Sequence, residues 1–273
     1  MSKKCPYCGR EYPEVSRYCP YCGSPNPTYV KKTDDGPQMH WVRLLTLFLV
    51  GFIGFQIVGT LLQLPFLIKA YSDFGENKQA IIQYLDSAPV SMFVNSIAYC
   101  ILFSTLLLIA KPSISKLVKS FTNGRAYLGA LLAFVCIYAF SIVYSIILSI
   151  AGVDVSSNNN QSSLESIIKV YPLVSLIVFG IMGPICEELT YRVGLFDVLK
   201  RRNRILAYVG TIVIFTLIHF DFGASDMVNE LVNIPYYAAA AFAFTYVYDK
   251  FGFAASVTAH VINNLQSVIV NMI

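Results

Sequence analysis

Two glutamates, an arginine, two histidines and an asparagine stand inside long apolar stretches of this chain. Each ionisable group placed in hydrocarbon costs about 2.5–3.5 kcal/mol on insertion scales, so such residues point to a functional site. They fall in three motifs: Glu187-Glu188-Leu-Thr-Tyr-Arg192, Phe215-Thr-Leu-Ile-His219 and His260-Val-Ile-Asn263-Asn264. Two of the chain's three histidines are among them. Neighbouring residues on a helix point about 100° apart, so Glu187 and Glu188 cannot share a role. Glu188 and Arg192 are i and i+4 and read as a structural ion pair, which leaves Glu187 to face a pocket. A desolvated Glu187 could take a proton from water, with His219 orienting that water and returning a proton to a leaving amine. His260 and Asn264, again i and i+4, would donate hydrogen bonds to a developing oxyanion. Asn263 is the adjacent alternative, but i+4 spacing puts Asn264 on the face of His260.

These groups need a scaffold that brings them to one level. The chain has 273 residues, of which 56% are hydrophobic, 14% aromatic and 13% charged, with mean hydropathy +0.59. An ordinary soluble domain is about 25% charged, so a soluble core is excluded, and no collagen or coiled-coil repeat is present. The composition predicts an all-α polytopic membrane protein of about seven transmembrane helices, at 42–68, 89–110, 127–152, 171–199, 205–220, 233–248 and 251–272. The first is too long and too far from the N-terminus to be a signal peptide. Gly183-Pro184 interrupts the fourth and predicts a break or kink one turn before Glu187. Measured along the helices, Glu187 and His219 each lie roughly 22 Å from the turn near Arg202, and Asn264 roughly 21 Å from the turn at Lys250. Four polar groups from three helices therefore meet in one layer.

With the N-terminus in the cytoplasm, 16 of the 20 basic residues fall on the cytoplasmic side. Only Lys69, Lys78 and Lys169 fall opposite, and that bias sets the orientation, with the C-terminus outside the cell membrane. The opposite loops are acidic (Asp73, Glu76, Asp86, Asp154, Glu165, Asp221, Asp226, Glu230), and Asn158 to Ser163 read as a polar outer loop. The net charge of +4 is absorbed by this asymmetry, so no nucleic acid is expected. His40 and Trp41 read as interfacial, and Cys100, Cys136 and Cys186, each single within a span, as packing residues.

The first 23 residues are of another kind. Cys5-Pro-Tyr-Cys8-Gly and Cys19-Pro-Tyr-Cys22-Gly are two near-identical knuckles separated by ten residues. Each offers two thiolates, and four suit one tetrahedral structural Zn²⁺. A redox pair would want a βαβ setting, and disulfides do not suit a reducing cytoplasm. The segment resembles the short zinc-ribbon module, as a folded cap or a docking point for a cytoplasmic partner. Residues 24–40, with Pro25, Pro27, Gly36 and Pro37, read as a flexible linker, and 41–169 as N-terminal transmembrane helices.

EExxxR, FxxxH and HxxxN, in that order on membrane helices, resemble the CPBP family of intramembrane proteases. That family includes type II CAAX prenyl proteases, bacteriocin-processing and self-immunity proteins, and lysostaphin-resistance-like proteins. The resemblance covers about residues 170–270. It implies a catalytic core in 170–273, peptidase activity, and Glu187, His219, His260 and Asn264 as the catalytic set, with Glu188 and Arg192 as the family's second Glu and Arg. The implied partners are membrane lipid and a peptide or protein substrate, prenylated or not. A His₂Glu zinc site is an alternative, but there is no HExxH and a ligating Glu cannot serve as base, so no catalytic metal is favoured. A non-catalytic immunity or scaffold protein that binds a peptide in the same pocket is the rival class. Transport is disfavoured by the lack of an inverted repeat.

Overall fold

The computed structural model describes residues 2–13, 16, 18–26, 39–153 and 156–272. It divides into two compact units, Met1–Asp35 and Gly36–Ile273. Most of the expected linker, 27–38, lies outside the described residues, as does Asp154.

In the first unit, β1 (Ser2–Lys4) pairs antiparallel with β2 (Glu11–Pro13), Lys3 opposite Tyr12. Each Cys knuckle closes the same way. Gly9 N–H donates to Cys5 O and Gly23 N–H to Cys19 O, both at 2.9 Å. Both glycines have positive φ, +72° and +70°, a conformation that a Cβ disfavours. Cys5, Cys19 and Tyr12 form the small core. Asn26 Nδ2 donates to Ser16 O, so the ribbon's bonding runs a few residues past the second knuckle.

The second unit is helical. Among the described residues five helices are long and apolar enough to cross a membrane: α1 (Trp41–Phe74), α3 (Ala88–Thr122), α4 (Gly124–Ile150), α6 (Pro172–Lys200) and α9 (Phe253–Met272). Between them lie α2 (Lys78–Leu85), α5 (Asn159–Val170), α7 (Arg204–Leu217) and α8 (Met227–Phe251). The all-α membrane architecture with a four-cysteine ribbon holds, but the sequence count of about seven spans is not matched. At 14 residues α7 is only about 21 Å long, short of the roughly 30 Å of a hydrocarbon core. The 25-residue α8 carries Glu230, Pro235, Asp249 and Lys250 and is not among the five.

Helix α6 is the most enclosed, with 56% of its apolar window buried against 11% for α4. The expected break at Gly183-Pro184 does not occur, and α6 runs on through both residues. The turn ahead of them widens into a π-helix (Val178–Met182), in which Gly183 N–H bonds Val178 O five residues back. The wider turn accommodates the proline ring that would strain a regular one. A second π-helix, Glu188–Phe196, starts immediately after Glu187. Helix α1 packs closely against it: a Cβ on Gly51 would sit 1.9 Å from Thr190 Oγ1, and one on Gly194 2.8 Å from the Phe48 backbone. Leu44, Leu47, Leu106, Leu189, Phe196 and Val257 fill the core these helices share with α3 and α9. On the other side, Ala130 and Ala133 of α4 let α8 and α9 approach through Phe244, Ala255 and Ala259.

At the end rich in basic residues, Asp249 ties the hairpin together. It accepts from Arg204 Nε at 2.9 Å and Tyr208 OH at 2.9 Å, and pairs with Lys200 Nζ at 3.1 Å. Two other expectations change. Asn158 to Ser163 is not a loop: Asn158 caps α5, its Oδ1 accepting from Gln161 N at 3.0 Å. Glu165 and Glu230 likewise sit in helices, and Glu230 is buried. Cys186 packs in the core, whereas Cys100 and Cys136 lie on the outer surface of the bundle. His40 caps α1, and Trp41 is exposed.

Candidate active site

The site is built where α6, α7, α8 and α9 converge. Glu188 is fully buried and receives three partners: Arg192 Nη1 at 3.3 Å, His260 Nδ1 at 2.8 Å and the Ser256 hydroxyl. The guanidinium makes no hydrogen bond among the described residues. It lies instead over Phe215, 4.5 Å from the ring centre, and 5.6 Å from that of Phe244. The pair is thus held by charge attraction and by aromatic faces, which suit a weakly hydrated cation.

Glu187, one residue earlier, points elsewhere. Its Oε2 is buried without a hydrogen-bond partner among the described residues and stands 3.7 Å from His260 Nε2. The His260 ring is thereby fixed on every side. Phe244 stacks on it at 4.4 Å and 20°, Nδ1 meets Glu188, and Nε2 faces Glu187. A carboxylate on Nδ1 assigns a proton to that nitrogen.

His219 lies just past the end of α7 and is held by its own turn. Its Nδ1 meets Phe215 O at 2.8 Å, which again assigns the proton to Nδ1 and leaves Nε2 as the free ring nitrogen. Tyr237 of α8 stacks on the ring at 4.6 Å and 22°. Asn264, one turn beyond His260, donates from Nδ2 to Phe179 O at 3.2 Å, while Asn263 donates to Asn264 Oδ1 at 3.4 Å. The four sequence-selected residues therefore share one space, although Asn264 is placed a turn beyond His260.

That space is a cavity of about 250 Å³ whose wall includes Glu187, His219, Tyr237, His260, Asn263 and Asn264. A second cavity, about 130 Å³, is lined by Phe52, Phe55, Tyr99, Leu102 and Cys186 and also reaches Glu187 and His219. Glu187 and His219 thus line both cavities, each a concavity of mixed polar and apolar wall of the kind that ligand sites use.

Sequence reasoning missed Ser256, Tyr237, Asn158 and Glu230. Ser256 had a readable signal, since Ser256, His260 and Asn264 repeat at i, i+4 and i+8 on one helical face. The other three are joined through Asn158, which meets His219, Glu230 and Tyr237 across 61 to 79 residues of sequence, for which no local pattern exists.

In the ribbon, the four Sγ atoms of Cys5, Cys8, Cys19 and Cys22 lie within 4.8 Å of one another. Cys5–Cys22 and Cys8–Cys19 are each 3.7 Å apart. A tetrahedron of sulfurs around Zn²⁺ at about 2.3 Å has edges of roughly 3.8 Å, so the set fits zinc.

Comparison with known proteins accords with both units. Residues 169–266 match the family described as Type II CAAX prenyl endopeptidase Rce1-like, and residues 4–26 match the zinc-ribbon domain. The chain carries a zinc ribbon and an Rce1-like domain. Over 118 residues it is 30% identical to the "Putative membrane peptidase YdiL" of Bacillus subtilis, covering 43% of this chain and 44% of that protein. Over the same length it is 25% identical to UPF0177 protein YvdC of Lactococcus lactis, covering 43% and 42%. An uncharacterized protein of Mycoplasma capricolum is 25% identical over 167 residues, 57% of this chain and 47% of the relative. The alignments thus span less than half the length of these relatives. No solved structure matches. The Rce1-like domain takes in all three motifs, from α6 to α9.

Proposed function

We propose that this protein is an intramembrane endopeptidase in which Glu187 activates water. The observation that carries this reading is the Glu187 carboxylate: its Oε2 is buried at the cavity wall, has no hydrogen-bond partner among the described residues, and faces His260. An orphaned buried acceptor is costly, and a water or substrate group in the cavity would satisfy it. Glu187 takes a proton from that water, and His219, with Nε2 free, accepts the water's other hydrogen bond and orients it. The oxygen adds to the peptide carbonyl carbon. One N–H of Asn264 remains available for the oxyanion, because its amide has two and one is committed to Phe179 O. His260 Nε2, which faces Glu187 across 3.7 Å, supplies a second hydrogen bond to the oxyanion when that nitrogen carries a proton. Collapse of the adduct breaks the C–N bond, and the amine leaves with the proton first taken from water, passed on through His219. No metal takes part in this sequence.

The same reading assigns residues 1–23 to a ribbon with structural Zn²⁺, 24–40 to a linker, 41–169 to scaffold helices and 170–273 to the catalytic core. It places the chain in the cell membrane with its N-terminus in the cytoplasm, where the ribbon can meet a cytoplasmic protein. The substrate is a peptide or protein reached within or beside the bilayer. A pool of diverse peptides, including prenylated C-terminal ones, tests the proposal when offered to reconstituted wild type and Glu187→Gln. Products made by wild type alone are expected. Equal, substantial product from both would exclude Glu187 as the base.

A further inference from the structure

The buried carboxylate of Glu230 has no part in the chemistry above, yet it organises one wall of the cavity. It is 1% exposed, and all the donors the structure gives it are amides: Asn159 N at 2.8 Å, Asp221 N at 3.0 Å and Asn158 Nδ2 at 3.3 Å. Asp221 follows His219 by two residues, so Glu230 pins the strip of backbone that carries the histidine. Asn158, also 1% exposed, repeats the grip from another direction. Its Nδ2 donates to His219 O at 2.9 Å, and its Oδ1 accepts from Tyr237 OH at 3.0 Å. Tyr237 in turn stacks on the His219 ring. Beside it, Asp221 accepts from Asn159 Nδ2 at 2.8 Å and from Gly223 N, which holds its carboxyl below the usual carboxylate range.

We propose that Glu230, Asn158 and Tyr237 are positioning residues for His219, joining the start of α5, the end of α7 and α8 into a clasp that fixes the backbone and the plane of its ring. This rests on the peptidase reading for its catalytic consequence but not for its geometry. Hydrogen bonds to a charged acceptor are about twice as strong as neutral ones, so Glu230 makes the clasp stiff. Tyr237 prevents the ring from turning Nε2 away from the water. Asn160, two residues beyond Asn158, lines both cavities, so the segment that holds His219 also closes the site.

The experiment exploits the small number of histidines, three in the chain. Protein labelled with ¹⁵N-histidine in lipid nanodiscs gives three imidazoles to follow: His40, His219 and His260. In wild type the His219 ring is expected as a single tautomer with the proton on Nδ1. Asn158→Leu and Tyr237→Leu are expected to mix its tautomers and move its titration, with the His260 and His40 signals unchanged. Tyr237→Phe, which keeps the stacked ring, should restore most of the wild-type signal. On the cleaved peptide, the two Leu variants should lower kcat about 10–100-fold with KM within about twofold, as misplacement of a catalytic group does. Glu230→Gln is a weaker probe, because its amide NH2 would face one or two of the three donors and can prevent folding. Unchanged His219 signals in folded Asn158→Leu and Tyr237→Leu would overturn the proposal whatever the cleavage assay shows. Altered signals in a protein that cleaves nothing would support the clasp and remove the peptidase reading instead.

Discussion

Removing one partner of the Glu188–Arg192 pair should have unequal consequences, because the two ions are differently supported. Glu188 has Ser256 and His260 as well as Arg192. Among the described residues Arg192 has only Glu188 at 3.3 Å and two aromatic faces, with no hydrogen bond to any of its three nitrogens. At that separation, with an effective dielectric constant near 20, the attraction is about 5 kcal/mol. Glu188→Gln therefore strands a buried cation and should cost about 3–5 kcal/mol. Arg192→Met leaves Glu188 with two donors, one of them an imidazole able to take the positive charge, and puts a flexible apolar chain between Phe215 and Phe244. Its cost should be nearer 1–3 kcal/mol. The double variant should lie closer to wild type than Glu188→Gln does, since replacing both ions is often near neutral. Thermal unfolding in one detergent gives the order directly, and cleavage is read alongside it. All variants lacking Glu188 should lose activity even where they fold, because Nδ1 of His260 loses its anion. Arg192→Met less stable than Glu188→Gln, or full activity in the double variant, would refute this assignment of roles.

Gly51→Ala should lower stability by about 1–3 kcal/mol, since its Cβ would stand 1.9 Å from Thr190 Oγ1. Adding Thr190→Ala should recover most of that loss in the same unfolding assay. Purified protein should hold one zinc per chain by elemental analysis, and Cys8→Ser or Cys19→Ser should reduce it well below one. In intact cells, a membrane-impermeant reagent should label a cysteine introduced at Lys78 but not one at Lys116, as the positive-inside bias of the sequence requires.

Much of this was legible because burial of polar groups in a membrane is so expensive. Glu187, Glu188, Arg192, His219 and His260 stood out against an apolar background, and helical spacing alone put Glu188 with Arg192 and His260 with Asn264. The paired Cys knuckles announced their site in the same way. What spacing could not supply was curvature and reach. Gly183-Pro184 read as a break or kink because a regular helix has no room for the proline, yet a π turn at Val178–Met182 supplies that room and the helix continues. Asn158 and Glu230 read as loop polarity because the contacts that join them to each other and to His219 span 61 and 72 residues. The sequence extends the fifth span to residue 220 because hydropathy continues past the last residue of α7, Leu217, into the turn.

The most direct test of the central claim is kcat/KM for a cleaved peptide, compared between wild type and Glu187→Gln in the same nanodiscs, with matched unfolding temperatures. Loss of a general base should lower it by about 10²–10⁴-fold. A Glu187→Gln protein that folds like wild type and cleaves within about threefold of it would contradict the account.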